Sequence, residues 1–213
     1  MIKNSYPGKF IVFEGLDGSG QSTQANLLKD FLIKKGFEVI LTKEPTKTSE
    51  AGRRIRQILD EKTKSDPADL QKLFVQDRQE HLEKEIIPAL KNVKFVISDR
   101  YCFSTICFGG SDGLDIDWLI KLNENFLLPD ATFILKVAPR VCVKRIEKRG
   151  TSRTLFEKEL KLAKVWENYK TMPQRFENVF IIDGERPIQE VFEDTKKTIE
   201  SKVYGNHKIR SNF

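Results

Sequence analysis

The chain has 213 residues, of which 39% are hydrophobic and 32% charged, and its formal net charge at pH 7 is +6. This length suffices for one domain or two small ones with ample core, and the composition is that of an ordinary soluble globule. The modest excess of basic residues fits either a binder of polyanionic ligands or a solvated surface. Because no block of lysines with interleaved aromatic residues occurs, we expect no nucleic-acid partner.

Targeting and redox features favour a cytoplasmic protein. Residues 1–9 lack the apolar run of a signal peptide, and no stretch is long and apolar enough to span a bilayer, so we expect no membrane partner. The three cysteines form no C-x-x-C pair, and there are only two histidines. This pattern indicates reduced, buried thiols rather than disulfides or a metal cluster.

Apolar strands alternate with amphipathic helices along the chain. Strands are predicted at 10–13, 37–42, 95–99, 132–137 and 179–183, and helices at 22–35, 55–59, 67–90, 116–127, 139–148, 155–172 and 187–199. Gly109, Gly110 and Gly113 predict a break after the third strand. The alternation predicts an α/β fold, a doubly wound five-stranded parallel sheet flanked by helices. With no internal repeat or linker, residues 1–213 form one predicted domain, with a loose tail at about 204–213.

A glycine-rich loop separates the first strand from the first helix. Gly15, Gly20 and Ser22 keep the spacing of the phosphate-binding pattern G-x-x-x-x-G-K-[ST], but Gln21 stands in the place of its lysine. The dinucleotide pattern G-x-G-x-x-G fails because Thr23 holds the place of the third glycine. The loop alone permits two interpretations, a phosphate cradle or a β-to-α turn without a ligand.

Three further constellations have both a functional and an ordinary structural interpretation. Asp99 ends a strand and could hold Mg²⁺ opposite the Ser22 hydroxyl, with Arg100 gripping phosphoryl oxygens, or it could cap the next helix. Phe74 and Arg78 share a helix face. They could contact one planar base together, or Phe74 could belong to the apolar core and Arg78 to the solvated surface. The basic turn within residues 145–156 is either a lid over a triphosphate or solvated surface.

Taken together, these segments resemble the thymidylate kinase family of P-loop nucleoside monophosphate kinases. The resemblance rests on five motifs in the family's order: FEGLDGSGQSTQ at 13–24, Glu44-Pro45, GRRIR at 52–56, LFVQDR at 73–78 and SDRYCFS at 98–104. It implies a P-loop NTPase fold and transfer of the γ-phosphoryl group of ATP to dTMP, in dTTP biosynthesis. Mg²⁺ as cofactor and a homodimer are implied as well.

The resemblance also implies a role for each matching residue. The implied ATP-binding residues are Gly15, Leu16, Asp17, Gly18, Ser19, Gly20, Gln21, Ser22, Thr23 and Arg145. The implied dTMP-binding residues are Asp17, Glu44, Pro45, Arg56, Phe74, Arg78, Arg100, Tyr101, Ser104 and Phe108, with Lys47 as a further candidate. Ser22 and Asp99 would position the metal, and Arg100, Asp99, Arg149 and Arg153 would be catalytic.

Two residues depart from the family pattern. Gln21 lacks the lysine's charge, and the loss of one preorganised cation can lower a rate by about 10²–10³. Arginines of the lid could supply the charge, the enzyme could be slow, or the chain could bind nucleotides without catalysis. A phosphotransferase acting on another deoxynucleotide or a deoxynucleoside is a further alternative. Gly109 stands where many bacterial members carry glutamine, which leaves the base contacts there open.

Overall fold

The computed structural model describes residues 1–148 and 155–203, with the side chains of all of these except 155–158. Within this part of the chain the strands are β1 Ile2–Lys3, β2 Lys9–Gly15, β3 Val39–Lys43, β4 Phe95–Asp99, β5 Leu127–Leu128, β6 Ala131–Lys136 and β7 Val179–Asp183. Five of them form one parallel sheet in the order β3-β4-β2-β6-β7. The predicted five-stranded parallel sheet is therefore confirmed.

Helices fill most of the connections between these strands. Among the described residues they are α1 Gln21–Lys34, α2 Glu50–Leu59, α3 Pro67–His81, α4 Ile87–Lys91, α5 Cys102–Ser111, α6 Ile116–Leu122, α7 Pro139–Glu147, α8 Leu155–Arg175 and α9 Ile188–Thr198. Two π-helical segments, Leu82–Ile86 and Ile199–Val203, follow α3 and α9 directly.

Side chains of the central strand β2 alternate between two separate cores. Phe10 and Val12 belong to the cluster that includes Ile106 of α5. Ile11 and Phe13 belong to the opposite cluster, which includes Leu28 of α1. Because successive side chains of a strand point to opposite faces, helices must cover both faces of the sheet. This is the doubly wound arrangement that the alternating pattern predicts.

The parallel sheet brings three strand ends together at its carboxyl edge. Phe13 of β2 pairs with Asp99 of β4, and Asp99 in turn pairs with Lys43 of β3. Beyond these pairs, the Arg100 N–H donates to the Phe13 carbonyl at 2.9 Å and the Glu44 N–H to the Asp99 carbonyl at 3.2 Å. The glycine loop, the acid and the Glu44-Pro45 turn therefore meet at the edge where ligands of open α/β sheets bind.

The sequence-based prediction is wrong at two places. Gly109 and Gly110 do not break the chain, because α5 continues through both; a Cβ added at Gly110 would lie 2.3 Å from Cδ1 of Ile116. These glycines allow α6 to approach α5 closely. The predicted helix 116–127 ends at Leu122, and Leu127–Leu128 pairs instead with Ile2–Lys3.

In the described part of the chain, no helix combines the length and apolar character required to cross a membrane.

Candidate active site

The loop between β2 and α1 depends on its glycines. Gly15, Gly18 and Gly20 have φ values of +143°, +85° and +107°, a region that other residues rarely adopt. An added Cβ would also lie 2.7 Å from the Ser19 hydroxyl at Gly15, and 2.8 Å from the Cys142 carbonyl at Gly18. Gly20 is the N-cap of α1, so the loop leads directly into a helix N-terminus, where the backbone favours anions.

Gln21 is part of the loop's internal framework. Its side chain is only 5% exposed, and Nε2 donates to the carbonyls of Gly15 at 2.9 Å and Leu16 at 3.2 Å. The amide thereby ties the first turn of α1 to the start of the loop. It supplies hydrogen-bond donors at the lysine position of the phosphate-binding pattern, but no charge.

Asp99 links the glycine loop to a cation on the neighbouring strand. Its Oδ2 accepts hydrogen bonds from the Ser22 hydroxyl at 2.5 Å and from the Lys43 ammonium at 2.7 Å. Asp99 is 5% exposed, whereas the Lys43 side chain is 54% exposed. A buried carboxylate beside a hydroxyl offers the hard oxygen ligands that Mg²⁺ prefers, and Lys43 places a positive charge at the same point.

The side chain of Arg100 contacts both the glycine loop and α5, and its backbone is strained. Its φ is +77°, a value that for a non-glycine residue often marks a functional site. The guanidinium donates to the Asp17 carboxylate at 2.6 Å, to the Gly15 carbonyl at 3.1 Å and to the Ser104 hydroxyl at 2.8 Å. Burial opposes the charge, but Asp17 and the other nearby acids raise the pKa of Arg100 further. Arg100 is thus a fixed cation.

Glu14 holds the segment that carries Arg100. This fully buried carboxylate accepts hydrogen bonds from the backbone N–H groups of Tyr101 and Ser104, from the Ser104 hydroxyl at 2.6 Å and from the Tyr169 hydroxyl at 2.8 Å. Burial raises the pKa of Glu14, although Arg100 and these donors act in the opposite direction. Glu14 is therefore an anchor for the start of α5.

A cavity of about 310 Å³ lies beside Arg100, bordered by α3, α5 and the Glu44-Pro45 turn. Its lining includes Phe74 and Arg78. Arg78 is 1% exposed; its guanidinium contacts Glu44 at 2.8 and 2.9 Å, Asn123 at 2.5 Å and Thr105 at 2.9 Å. The size suits a small planar ligand, and Arg78 is a rigid part of its wall.

Two more cavities follow the glycine loop. One of about 200 Å³ lies between Gly18, Thr23, Arg145, Gly184 and Arg186. The other, of about 260 Å³, is lined by Asp17, Gly18, Gln21, Ser22, Lys43, Asp99, Arg100 and Ile146. This middle cavity shares Gly18 with the first, and Asp17, Lys43 and Arg100 with the cavity beside Phe74. Two ligands could therefore bind on opposite sides of it, with their ends close to Arg100.

Comparison with known proteins gives a consistent result. The family model described as thymidylate kinase matches residues 13–195. A probable thymidylate kinase of Pyrococcus horikoshii is 39% identical over 204 residues, covering 93% of this chain and 98% of that protein. This chain belongs to the thymidylate kinase family. A thymidylate kinase of Caldicellulosiruptor saccharolyticus is 37% identical over 199 residues, and the match covers 91% of this chain and 96% of that protein.

Family membership supports the fold predicted from the motifs, a P-loop NTPase sheet of the nucleoside monophosphate kinase type. The residues predicted to bind dTMP all border the cavity beside Phe74: Asp17, Glu44, Pro45, Arg56, Phe74, Arg78, Arg100, Tyr101, Ser104 and Phe108. These residues come from five separate parts of the chain: the glycine loop, the Glu44-Pro45 turn, α2, α3, and the segment from Arg100 to Phe108. The Glu44–Pro45 peptide bond among them is cis.

The remaining predicted residues are placed as follows. Arg145 lies 3.4 Å from the carbonyls of Gly18 and Ser19. The Leu16 side chain lies in the core, while its carbonyl takes part in the loop. Lys47 lines a neighbouring cleft of about 440 Å³ together with Arg56. Arg149, Arg153, part of the predicted lid and the predicted tail lie outside the described residues.

Four residues of the candidate site were missed by the sequence reasoning. A charged residue inside an apolar strand could have revealed Glu14, and Lys43 directly precedes the predicted Glu44-Pro45 turn. Gln71 lies at helical spacing from Phe74 and Arg78 and lines the same cavity. Arg186 follows the last strand and lines the cavity of Arg145; no pattern in the sequence pointed to it.

Proposed function

We propose that this chain is an ATP-dependent dTMP kinase that forms dTDP and ADP. The observation that carries the proposal is the position of Arg100. One guanidinium contacts the glycine loop and also borders the cavity of Phe74 and Arg78, where it can bind phosphoryl oxygens bidentately. The names of the relatives, thymidylate kinase and probable thymidylate kinase, support dTMP as the acceptor.

In this proposal the donor nucleotide binds along the glycine loop. Backbone N–H groups of Gly15 to Thr23 cradle the phosphates at the N-terminus of α1. The base and sugar occupy the cavity between Arg145 and Arg186. Arg149 and Arg153 are proposed to approach the transferring group from the lid.

The acceptor dTMP binds in the cavity beside Arg100. Phe74 stacks on thymine, and Arg78 donates to the base edge. Arg56 and Arg100 bind the phosphate, with Lys47 nearby in the adjoining cleft. Asp17, Ser104 and Phe108 surround the sugar. A phosphate oxygen of dTMP forms a bond to the γ-phosphorus, the bond to the β–γ bridging oxygen breaks, and ADP leaves; because the acceptor is already anionic, no general base is required.

Mg²⁺ fits the residues at the middle cavity. Ser22 and Asp99 bring a hydroxyl and a carboxylate oxygen within 2.5 Å of one another, and no cluster of three or more acidic, histidine or cysteine ligands occurs among the described residues. One or two protein oxygens completed by phosphates and water are typical of Mg²⁺ in kinases. When bound, the ion would neutralise charge on the transferring phosphoryl group.

ADP release from ATP, Mg²⁺ and dTMP tests the proposal, with dUMP, dCMP and dGMP as alternative acceptors and Gln21→Lys measured alongside. We expect turnover of dTMP by the parent. Binding of both nucleotides without turnover, recovered in Gln21→Lys, would identify a catalytically impaired binder. Turnover of another acceptor but not of dTMP would contradict the substrate assignment.

The proposal on assembly follows from the family resemblance, and the proposal on location follows from the targeting and redox features of the sequence. We propose a homodimer, which light scattering at micromolar concentration tests directly. A cytoplasmic location and a single domain over residues 1–213 also stay predictions, and fractionation and limited proteolysis are the corresponding measurements.

A further inference from the structure

One face of α3 forms a wall of the acceptor cavity. Gln71, Phe74 and Arg78 are three and four residues apart along this helix, so their side chains lie on the same face. All three line the cavity. Phe74 provides an aromatic surface and Arg78 provides N–H donors. Gln71 adds a carboxamide, which is both a donor and an acceptor.

The carboxamide of Gln71 is buried without complete hydrogen bonding. The residue is 2% exposed, and its Oε1 has no hydrogen-bond partner within the described part of the chain. A buried polar atom without a partner is destabilising, and such atoms in a cavity wall suit a ligand that supplies the missing bond.

Packing holds this amide in the wall. Gly109 of α5 lies opposite, and a Cβ added there would be 3.2 Å from Cδ of Gln71 and 3.0 Å from both methyl carbons of Leu119. The absence of a side chain at position 109 therefore leaves the volume that the glutamine occupies. Gln71 is confined between two helices, unlike a surface glutamine that is free to rotate into solvent.

The neighbouring Arg78 cannot provide an acceptor. A guanidinium has five N–H donors, and its contacts with Glu44, Asn123 and Thr105 keep it charged and fixed. The edge of thymine presents an acceptor at O4, a donor at N3–H and an acceptor at O2. Arg78 can match only the acceptors, so a complete match requires one additional acceptor in the wall.

We propose that Gln71 determines base specificity in the proposed dTMP kinase, its Oε1 accepting a hydrogen bond from N3–H of thymine. The inference rests on the proposed function. Cytosine lacks the hydrogen at N3 and carries an amino group at C4, which would face the donors of Arg78. Gln71 and Arg78 together therefore favour thymine, while Phe74 binds any pyrimidine by stacking.

The test compares dTMP with N3-methyl-dTMP, in which a methyl group replaces the N3 hydrogen and both carbonyl oxygens are retained. For the parent, we expect kcat/KM to be at least about 10-fold lower with the N3-methyl analogue, because it lacks the donor that the site is built to pair. In Gln71→Met, which has similar length but no amide, the two substrates should differ by less than about twofold. Gln76→Met, an exposed glutamine on the same helix, is the matched control and should discriminate like the parent.

Equal kcat/KM values for the two substrates in the parent would overturn the role of Gln71, and this result needs no variant to fold. Discrimination in Gln71→Met as strong as in the parent would also overturn it. In both cases turnover of dTMP leaves the proposed function standing. If the parent does not phosphorylate dTMP at all, the proposed function fails and the inference fails with it.

Discussion

Replacing Gln21 by methionine isolates what the neutral residue does for the glycine loop. Methionine has nearly the same length and volume but no N–H group. The change removes the two hydrogen bonds from Nε2 to the carbonyls of Gly15 and Leu16 and leaves the apolar packing of this 5% exposed side chain largely in place.

The loss of unfolding free energy depends on whether the Gly15 or the Leu16 carbonyl is left without a hydrogen-bond partner. The Gly15 carbonyl still accepts from the Arg100 guanidinium at 3.1 Å, and the Leu16 carbonyl from the Ser19 N–H at 3.0 Å. Neither oxygen becomes unpaired, so the net value of about 0.5–1.5 kcal/mol per hydrogen bond applies instead of the larger penalty for an orphaned group. Gln21→Met should therefore lower the free energy of unfolding by about 2 kcal/mol, which corresponds to roughly 4–8 °C in Tm.

Circular dichroism during heating, supported by urea unfolding, measures this loss without nucleotide. Gln21→Lys is the matched variant, because its ammonium can donate to the same two carbonyls; we expect it to lose less than half as much. A Tm of Gln21→Met within about 1 °C of the parent would refute the reasoning, since the amide would then contribute nothing to the loop.

Three further predictions concern the charged groups around the site. Lys43→Met should lower kcat about 10-fold with little change in KM for dTMP, because it removes a cation 2.7 Å from Asp99; an unchanged kcat in the ADP-release assay would exclude Lys43 from charge neutralisation. Asp99→Asn should raise the Mg²⁺ concentration for half-maximal activity about 10-fold, and a superimposable Mg²⁺ titration would argue against a metal at Asp99. Burial opposes the charge of His81, but its hydrogen bond with Glu44 raises the pKa of the imidazole above the ordinary 6.5. The charged imidazole therefore stabilises the fold fully below pH 6.5, and this contribution is lost as the pH rises through the folded-state pKa. The urea midpoint should accordingly fall as the pH rises above 6.5, and should fall less in His81→Gln; the same pH dependence in the two proteins would contradict the assignment.

The buried cysteines illustrate a prediction that could be made from composition. Cys102, Cys107 and Cys142 are all free and buried, as their number and spacing indicated. Burial raises the pKa of Cys142 to about 12, so the thiolate required for oxidation or metal binding is scarce at neutral pH.

Local patterns were sufficient to predict the five strands of the main sheet, most helices and the glycine loop. Period-two and period-3.6 hydrophobic spacing depends on short-range geometry, and only glycine adopts the positive φ values of Gly15, Gly18 and Gly20 without strain. The glycines of α5 misled the prediction, because Gly109 and Gly110 serve helix–helix packing with Leu119 and Ile116. Ile116 and Leu119 belong to the next helix, α6, and meet these glycines only because α6 packs against α5.

The alternation of strands and helices in the amino-acid sequence was enough to predict the parallel sheet, and five short motifs in order were enough to indicate the family. Tertiary structure alone decided that Lys43 reaches Asp99, and that Gln71 lines the cavity across from Gly109 with a side-chain oxygen that has no partner among the described residues. The physical reason is range. Hydrophobic periodicity acts over a few residues, whereas hydrogen bonds and packing join side chains that are tens of residues apart and meet only in the folded chain.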